Sequence, residues 1–265
     1  MKPSQSNEFF YQLFALLIAV IMVHALYVVL IRPQASAILE ERIRQEAAGE
    51  TLVVERSMYV VVKDYEQETC FILMLWAMAI MGFKARDSLA ERHLLQQTLI
   101  QVGDGSRILP EDARQLSRPV QDLAEQQREF LLPRALLTGL HRFQSTRNIQ
   151  DVSTAISDTC ETESERLDSE LSMVRYIAWA IPSIGFIGTV RGIGEALSQA
   201  HKAVAGDIVG VTASLGVAFN STFIALVISI IVVFLLHQLQ LLQERLVLDS
   251  HSYCDQNLLR HLTVN

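Results

Sequence analysis

Residues 179–193 read WAIPSIGFIGTVRGI and begin a long apolar helix whose small and weakly polar residues share one face. At 100° per residue, that face is a stripe about 80° wide, made of Pro182, Gly185, Thr189, Gly192 and Ala196. Because the stripe carries little side-chain bulk, we expect another helix or a narrow pore to approach its backbone closely. Proline removes a backbone hydrogen bond, so a neighbour or water has to satisfy the freed carbonyl. On its own, the stripe favours the packing seam of a membrane protein.

The composition indicates a membrane protein with a sizeable aqueous portion. Half of the 265 residues are hydrophobic, and the mean hydropathy is +0.26. The net charge of −7 and the lack of any Lys/Arg-rich run argue against nucleic acid binding. Cys70, Cys160 and Cys254 are far apart and form no CxxC pair, so we interpret them as incidental thiols rather than metal ligands.

Two apolar runs precede the quoted stretch. Residues 9–31 are long enough to cross about 30 Å of hydrocarbon as a helix. A cleaved signal peptide is the alternative, but its apolar region is usually about 7–15 residues, so we predict a retained span. Residues 67–84 form the second predicted span, with an outer loop at 32–66 whose conformation the pattern does not decide. His24, within the first run, is interpreted as an incidental polar residue at a helix contact rather than a proton relay.

Charge distribution sets the expected orientation. Lys84, Arg86 and Arg92 follow the second run, and by the positive-inside rule this end faces the cytoplasm. The amino terminus is then cytoplasmic as well. The loop after the third span carries only Lys202 as a firm positive charge, which suits the outer side.

The aqueous part is predicted to be helical. In residues 85–171 we expect helices interrupted at Pro119 and ended near Pro133, then one long helix from Asn148 to Pro182. The acidic face of that helix is either a solvated surface or the lining of a cation exit path.

The third and fourth spans are predicted at residues 174–197 and 211–236, and the fourth continues amphipathically into a cytoplasmic tail. The predicted fold is therefore all-α and polytopic, with four transmembrane helices and the last two extended as long cytoplasmic helices. Its predicted parts are a membrane hairpin (1–84), a cytoplasmic helical region (85–171), a channel hairpin (172–240) and a tail (241–265).

The fourth span also has a small, weakly polar face. Its members are Val211, Leu215, Ala218, Thr222, Ala225 and Ser229. Asn220 points about 160° away from Thr222, so we assign it to assembly through a neighbouring helix. Threonine hydroxyls often bond back to their own helix, so Thr189 and Thr222 also have an interpretation without function.

These residues resemble the MotA/TolQ/ExbB proton-channel family, closest to the ExbB/TolQ branch, over about residues 150–245. The family has a proline and then G-L-L-G-T-V-x-G-I in one span, followed by A-L-x-x-T-x-x-G-L in the next. The first motif is matched by Pro182, Gly185, Gly188, Thr189, Val190, Gly192 and Ile193, and the second by Ala218, Thr222 and Leu226. Phe219 and Ala225 depart from the second motif, and Val217 stands where many ExbB/TolQ members carry a glutamate. The span at 9–31 departs from the family's three-span plan.

The resemblance implies a ring-forming homo-oligomer, a pentamer, around single-span ExbD/TolR/MotB-like partner helices in the bacterial cell inner membrane. In the family the partner carries the aspartate that takes up and releases the ion. The central apolar parts of the last two spans here contain no Asp or Glu, which agrees with that division. The implied ion-pathway residues are Thr189, Thr222 and Ser229, and the implied pore or packing residues are Pro182, Gly185, Gly188, Gly192, Ala218 and Ala225.

The expected function is conversion of proton or sodium motive force into mechanical work, with no cofactor beyond the translocated ion. Arg191 and Glu195 lie one turn apart and are expected to form an intersubunit or intrahelical ion pair; a role in ion uptake is the alternative. A non-conducting membrane scaffold is the rival function. An enzyme has little support, because no HExxH, nucleophile elbow or phosphate loop is present.

Overall fold

A computed structural model describes residues 5–47, 57–100, 103, 107–204 and 208–264. The described residues are all-helical: 87% of them lie in helices, and none lies in a strand. The helices are α1 (Gln5–Leu26), a π-helical turn (Tyr27–Ile31), α2 (Arg32–Ala47), α3 (Met58–Val61), α4 (Tyr65–Leu94), α5 (Ala113–Gln121), α6 (Glu125–Arg128), α7 (Leu131–Thr146), α8 (Ile149–Glu170), α9 (Ser172–Ser198), α10 (Ala200–Val204), α11 (Val209–Asn257) and a 3₁₀ turn (Leu259–His261).

Four helical stretches of the described chain are long and apolar enough to cross a membrane: Glu8–Glu41, Tyr65–Leu94, Ile149–Ser198 and Val209–His261. Each predicted span lies inside one of them, so the all-α fold with four candidate spans is confirmed. The orientation of the termini and the cytoplasmic extensions stay predictions.

The predicted outer loop begins as helix. After the π-helical turn, the chain continues as α2 to Ala47, and a short α3 follows. The segment 48–56, within the loop whose conformation the sequence left open, lies outside the described residues. The side chain of Lys202 is not among those described.

Two predicted helix breaks are wrong. Pro133 does not end a helix but lies in the first turn of α7, where backbone N–H groups have no intrahelical acceptor and proline costs nothing. Pro119 lies inside α5, which continues to Gln121.

The predicted single helix from Asn148 to Pro182 is two helices. Leu171 ends α8, and its N–H bonds to the carbonyls of Asp168 and Ser169 instead of continuing the regular ladder. Asn148 caps the start of α8 by accepting from the N–H of Gln150 at 2.9 Å.

The described chain forms two compact units. The span unit comprises Phe9–Ile80 and Met173–Leu236. Within it, α1 and α4 pack antiparallel: Trp76 donates from Nε1 to the carbonyl of Gln12 at 2.9 Å, and Tyr27 and Ile31 pack against Phe71 and its neighbours.

The core unit comprises Met1–Glu8, Met81–Ser172 and His237–Asn265 and has a continuous apolar core. Its most buried large side chains include Ile100, Leu131, Leu136, Leu140, Phe143, Ile156 and Leu258. Buried Lys84 pairs with Glu8 at 2.5 Å and Glu170 at 2.7 Å. Buried Glu163 pairs with two arginines of this unit, Arg134 at 2.7 Å and Arg166. These pairs offset the cost of burying charge.

Candidate ion-pathway site

The glycine stripe of α9 is the contact surface for α11 in the span unit. Gly185, Gly188 and Gly192 are all buried. A Cβ on Gly188 would lie 2.5 Å from the Cβ of Ser221, and one on Gly192 would lie 2.7 Å from the backbone nitrogen of Ala218. Only glycine permits this approach, because real Cβ atoms essentially never come closer than 3.0 Å to such neighbours. The structure therefore brings together the two small-residue faces that the sequence singled out.

The two threonines of those faces meet at the centre of this contact. The hydroxyls of Thr189 and Thr222 hydrogen-bond to each other. Thr189 also lies 3.1 Å from the carbonyl oxygen of Ala218 on the facing helix, and Thr222 lies 3.1 Å from that of Gly185. Thr189 has its own-helix acceptor as well, the Gly185 carbonyl at 3.3 Å, but its nearer carbonyl is on the facing helix. Both side chains are half-buried.

This arrangement gathers four oxygens inside an apolar pair of helices. A hydroxyl has one proton and two acceptor lone pairs, so two protons serve several acceptors and more than one bonding pattern is available. Such a group can donate to a carboxylate or accept from a carboxylic acid or a hydrated cation. The threonine pair therefore offers hydrogen bonds to an ion or a carboxylate, where the apolar side chains of the same helices offer none.

Ser229 lies near the carbonyl that Pro182 leaves without its helical donor. In a regular helix the N–H of residue 182 would bond to the carbonyl of Ala178, and proline has no N–H. The hydroxyl of Ser229 on α11 donates to that carbonyl at 3.4 Å. The chain thus supplies from the facing helix the donor that the proline removes.

Asn220 is half-buried on α11, away from the threonine pair. Within the part of the chain that the structure describes, its amide has no hydrogen-bond partner. Its assignment to assembly stays a prediction.

Arg191 has a stronger partner than the one expected from the sequence. Its Nε and one terminal nitrogen bond to the two carboxylate oxygens of Glu66, at 2.8 and 2.9 Å, while Glu195 lies 3.6 Å away. The pairing with Glu66 is bidentate, the strong form of an arginine–carboxylate contact. Glu66 is 12% exposed, against 39% for Arg191 and 48% for Glu195.

A second polar group joins α1, the start of α2 and α4. His24 Nδ1 lies 2.7 Å from the buried carboxylate of Glu68, which also pairs with Arg32. The guanidinium of Arg32 lies 4.3 Å from the ring centre of Tyr65. His24 does lie at a helix contact, but with a carboxylate partner.

Sequence reasoning missed Glu66 and Glu68 as partners. Both lie in the first turn of α4, where acidic residues are usual because the helix dipole favours negative charge there, so they read as ordinary first-turn residues. Just before that turn, burial raises the pKa of the Asp64 carboxyl above its usual value.

Residues 127–251 match the family model described as the MotA/TolQ/ExbB proton channel family. Comparison with curated proteins and with solved structures gave no match. The matched segment contains the whole α9–α11 contact, including both threonines, and leaves out α1 and α4. The family is one of proton channels and not a class of enzymes. The chain is a multi-pass membrane protein whose residues 127–251 are similar to the MotA/TolQ/ExbB proton channel family.

Proposed function

We propose that this chain is the ring-forming subunit of an ion-driven motor in the bacterial inner membrane, with both termini in the cytoplasm. Five copies surround a single-span partner of the ExbD/TolR/MotB type, whose aspartate carries the proton or sodium ion. The observation that carries the proposal is the hydroxyl pair of Thr189 and Thr222 at the close contact of α9 and α11.

The physical basis is the cost of moving a carboxylate through an apolar wall. A charged carboxylate is stable only where hydroxyls, carbonyls or water reach it, whereas a neutral carboxylic acid passes apolar surface at much lower cost. The threonine pair is a polar station on such a wall. When the partner's aspartate takes up or releases the ion, it moves from the threonine pair of one subunit to that of the next, so the partner rotates relative to the ring. One elementary charge crossing 100 mV supplies about 2.3 kcal/mol to bias each step.

The division of labour between the two chains follows from the charges. Neither the stretch from Met173 to Val190 on α9 nor the first part of α11 from Val209 to Leu236 contains an Asp or Glu. Neither of these two helices supplies a carboxylate opposite the threonines, which supports an ion carrier on the partner chain, and the small residues of α9 and α11 serve as packing and pore surface.

The test is ion flux by the complex that copurifies with this chain from native membranes, reconstituted in vesicles under a potassium diffusion potential. We expect proton or sodium uptake that Thr189→Val with Thr222→Val abolishes while the complex keeps its mass. Thr212→Val is the matched control, because among the described residues the Thr212 hydroxyl bonds only to the carbonyls of Ile208 and Val209, in its own helix turn.

The rival function, a non-conducting scaffold, predicts a different result. An intact complex in which neither wild type nor variant carries ions, and in which cellular activity survives the double valine change, would replace the motor with the scaffold. The mass of the complex independently tests the expected five copies and the single-span partner.

A further inference from the structure

We propose that Glu66 is a cation-binding station of this chain's own and that Arg191 is its gate. One monovalent cation, hydronium or Na⁺, replaces the guanidinium on Glu66 while Arg191 moves to Glu195. This inference rests on the proposed function, since it places the station beside the threonine pair. It adds an α4 residue, outside the segment that matches the family model, to the ion path.

Geometry places Glu66 next to Gly188 and close to Ser221, the residues that precede the two threonines. A Cβ on Gly188 would lie 3.2 Å from Cγ of Glu66 and 2.7 Å from Oγ of Ser221. Gly188 directly precedes Thr189, and Ser221 directly precedes Thr222. The Glu66 side chain thus reaches from α4 to the close contact between α9 and α11.

The buried hydroxyl of Ser221, close to Glu66, also indicates a bound ligand. Ser221 is 1% exposed, and its hydroxyl has no hydrogen-bond partner among the described residues. Leaving such a group unpaired costs about 1–3 kcal/mol. A hydrated cation at Glu66 would provide the partner, since hydroxyl and carboxylate oxygens are suitable ligands for it.

The charges around Glu66 leave room for one cation. Arg191 and Glu195 face it from α9, and Lys63 and Asp64 precede it on the chain. Lys63 offsets Asp64, and Arg191 offsets only one of the two glutamates, so one negative charge remains uncompensated. The neighbouring group of Glu68 and Arg32 is balanced by itself.

Arg191 has two carboxylates within reach, which makes exchange possible. It lies 2.8 Å from Glu66 and 3.6 Å from Glu195, one helical turn away. When a cation binds Glu66, the guanidinium keeps an ion pair by moving to Glu195, so no charge is left unpaired. If the cation is hydronium, a Glu66 oxygen gains the proton and water leaves; release reverses both steps.

The test is infrared difference spectroscopy of the purified full-length chain in lipid bilayers, titrated with acid and, separately, with NaCl against choline chloride. We expect a carboxyl difference band that E66Q removes. E40Q is the matched control, because Glu40 is an exposed glutamate of α2. R191Q should keep the band and shift its midpoint to an about tenfold lower cation concentration, since the competing guanidinium is gone.

The outcomes separate this proposal from the function on which it rests. A band that is absent in wild type, or that persists in E66Q, overturns the Glu66 station. If E66Q does not fold, E66D with its retained carboxylate should keep the band; a band that disappears in a folded E66D while R191Q shows no shift also overturns it. If the wild-type complex carries no ions in the flux assay, the motor function is rejected, whatever the infrared spectra of Glu66 show.

Discussion

Gly192→Ala tests the close contact of α9 and α11, on which the site depends. The added Cβ would lie 2.7 Å from the backbone nitrogen of Ala218 and 2.8 Å from the carbonyl oxygen of Ser214. Comfortable contact requires about 3.5 Å, so the helices have to separate locally by about 0.8 Å. Neither obstacle is a flexible side chain, so rotation of a side chain cannot relieve the clash.

That separation reaches the hydroxyl pair. The 3.1 Å contact between Thr189 and the Ala218 carbonyl would lengthen to about 3.9 Å, beyond hydrogen-bonding distance. Overpacking of this kind costs about 1–3 kcal/mol, which corresponds to about 2–12 °C in melting temperature for a chain of this size. We expect Gly192→Ala to lower the melting temperature in lipid by that amount and to reduce ion flux.

Gly194→Ala is the matched control two residues away. A Cβ there would meet nothing within 4 Å, and alanine is about 0.5–1 kcal/mol better than glycine within a helix. We expect Gly194→Ala to keep both stability and flux. The reasoning is refuted if Gly192→Ala melts and conducts like Gly194→Ala.

Three further predictions concern other contacts. Ser229→Ala should lower the free energy of unfolding by about 1 kcal/mol, and adding Pro182→Ala should remove that loss, because the restored N–H of residue 182 bonds to the same Ala178 carbonyl. Thermal melts of the single and double variants check this, and additive losses of stability would contradict it. Glu163→Gln should lower the melting temperature by several degrees, because Arg134 and Arg166 lose a buried partner. Glu161→Gln, at an exposed position of the same helix, should leave the melting temperature unchanged. Equal melting temperatures for the two variants would show that the buried ion pairs do not stabilise the fold. The Cys160 thiol is buried, so maleimide should label it only after unfolding, as counted by mass. Rapid labelling of the folded protein would disprove this burial.

The sequence predicted the spans and the two small-residue faces because both depend on local patterns. Hydropathy over about 20 residues identifies a span, and 100° per residue assigns Thr189 and Thr222 to their faces. The absence of bulk along the α9 stripe predicted close approach by another helix or a narrow pore, and the structure shows that α11 makes this approach.

The partners of charged residues could not be predicted in this way. Arg191 and Glu66 are separated by 125 residues, and no local sequence pattern indicates which residues of α4 pack against Arg191 on α9. Helical spacing showed only Glu195, the weaker contact. Pro133 was wrongly taken as a helix end because proline favours both the end of one helix and the first turn of the next, and sequence alone does not distinguish them.

The most direct test of the central claim compares hydroxyl chemistry with shape at the threonine pair. Ion flux under a fixed potential should be retained when both Thr189 and Thr222 are changed to serine, which keeps the hydroxyls, and lost when both are changed to valine, which keeps the shape. Equal flux through the serine and valine complexes, both assembled with the partner, would show that these hydroxyls take no part in moving the ion.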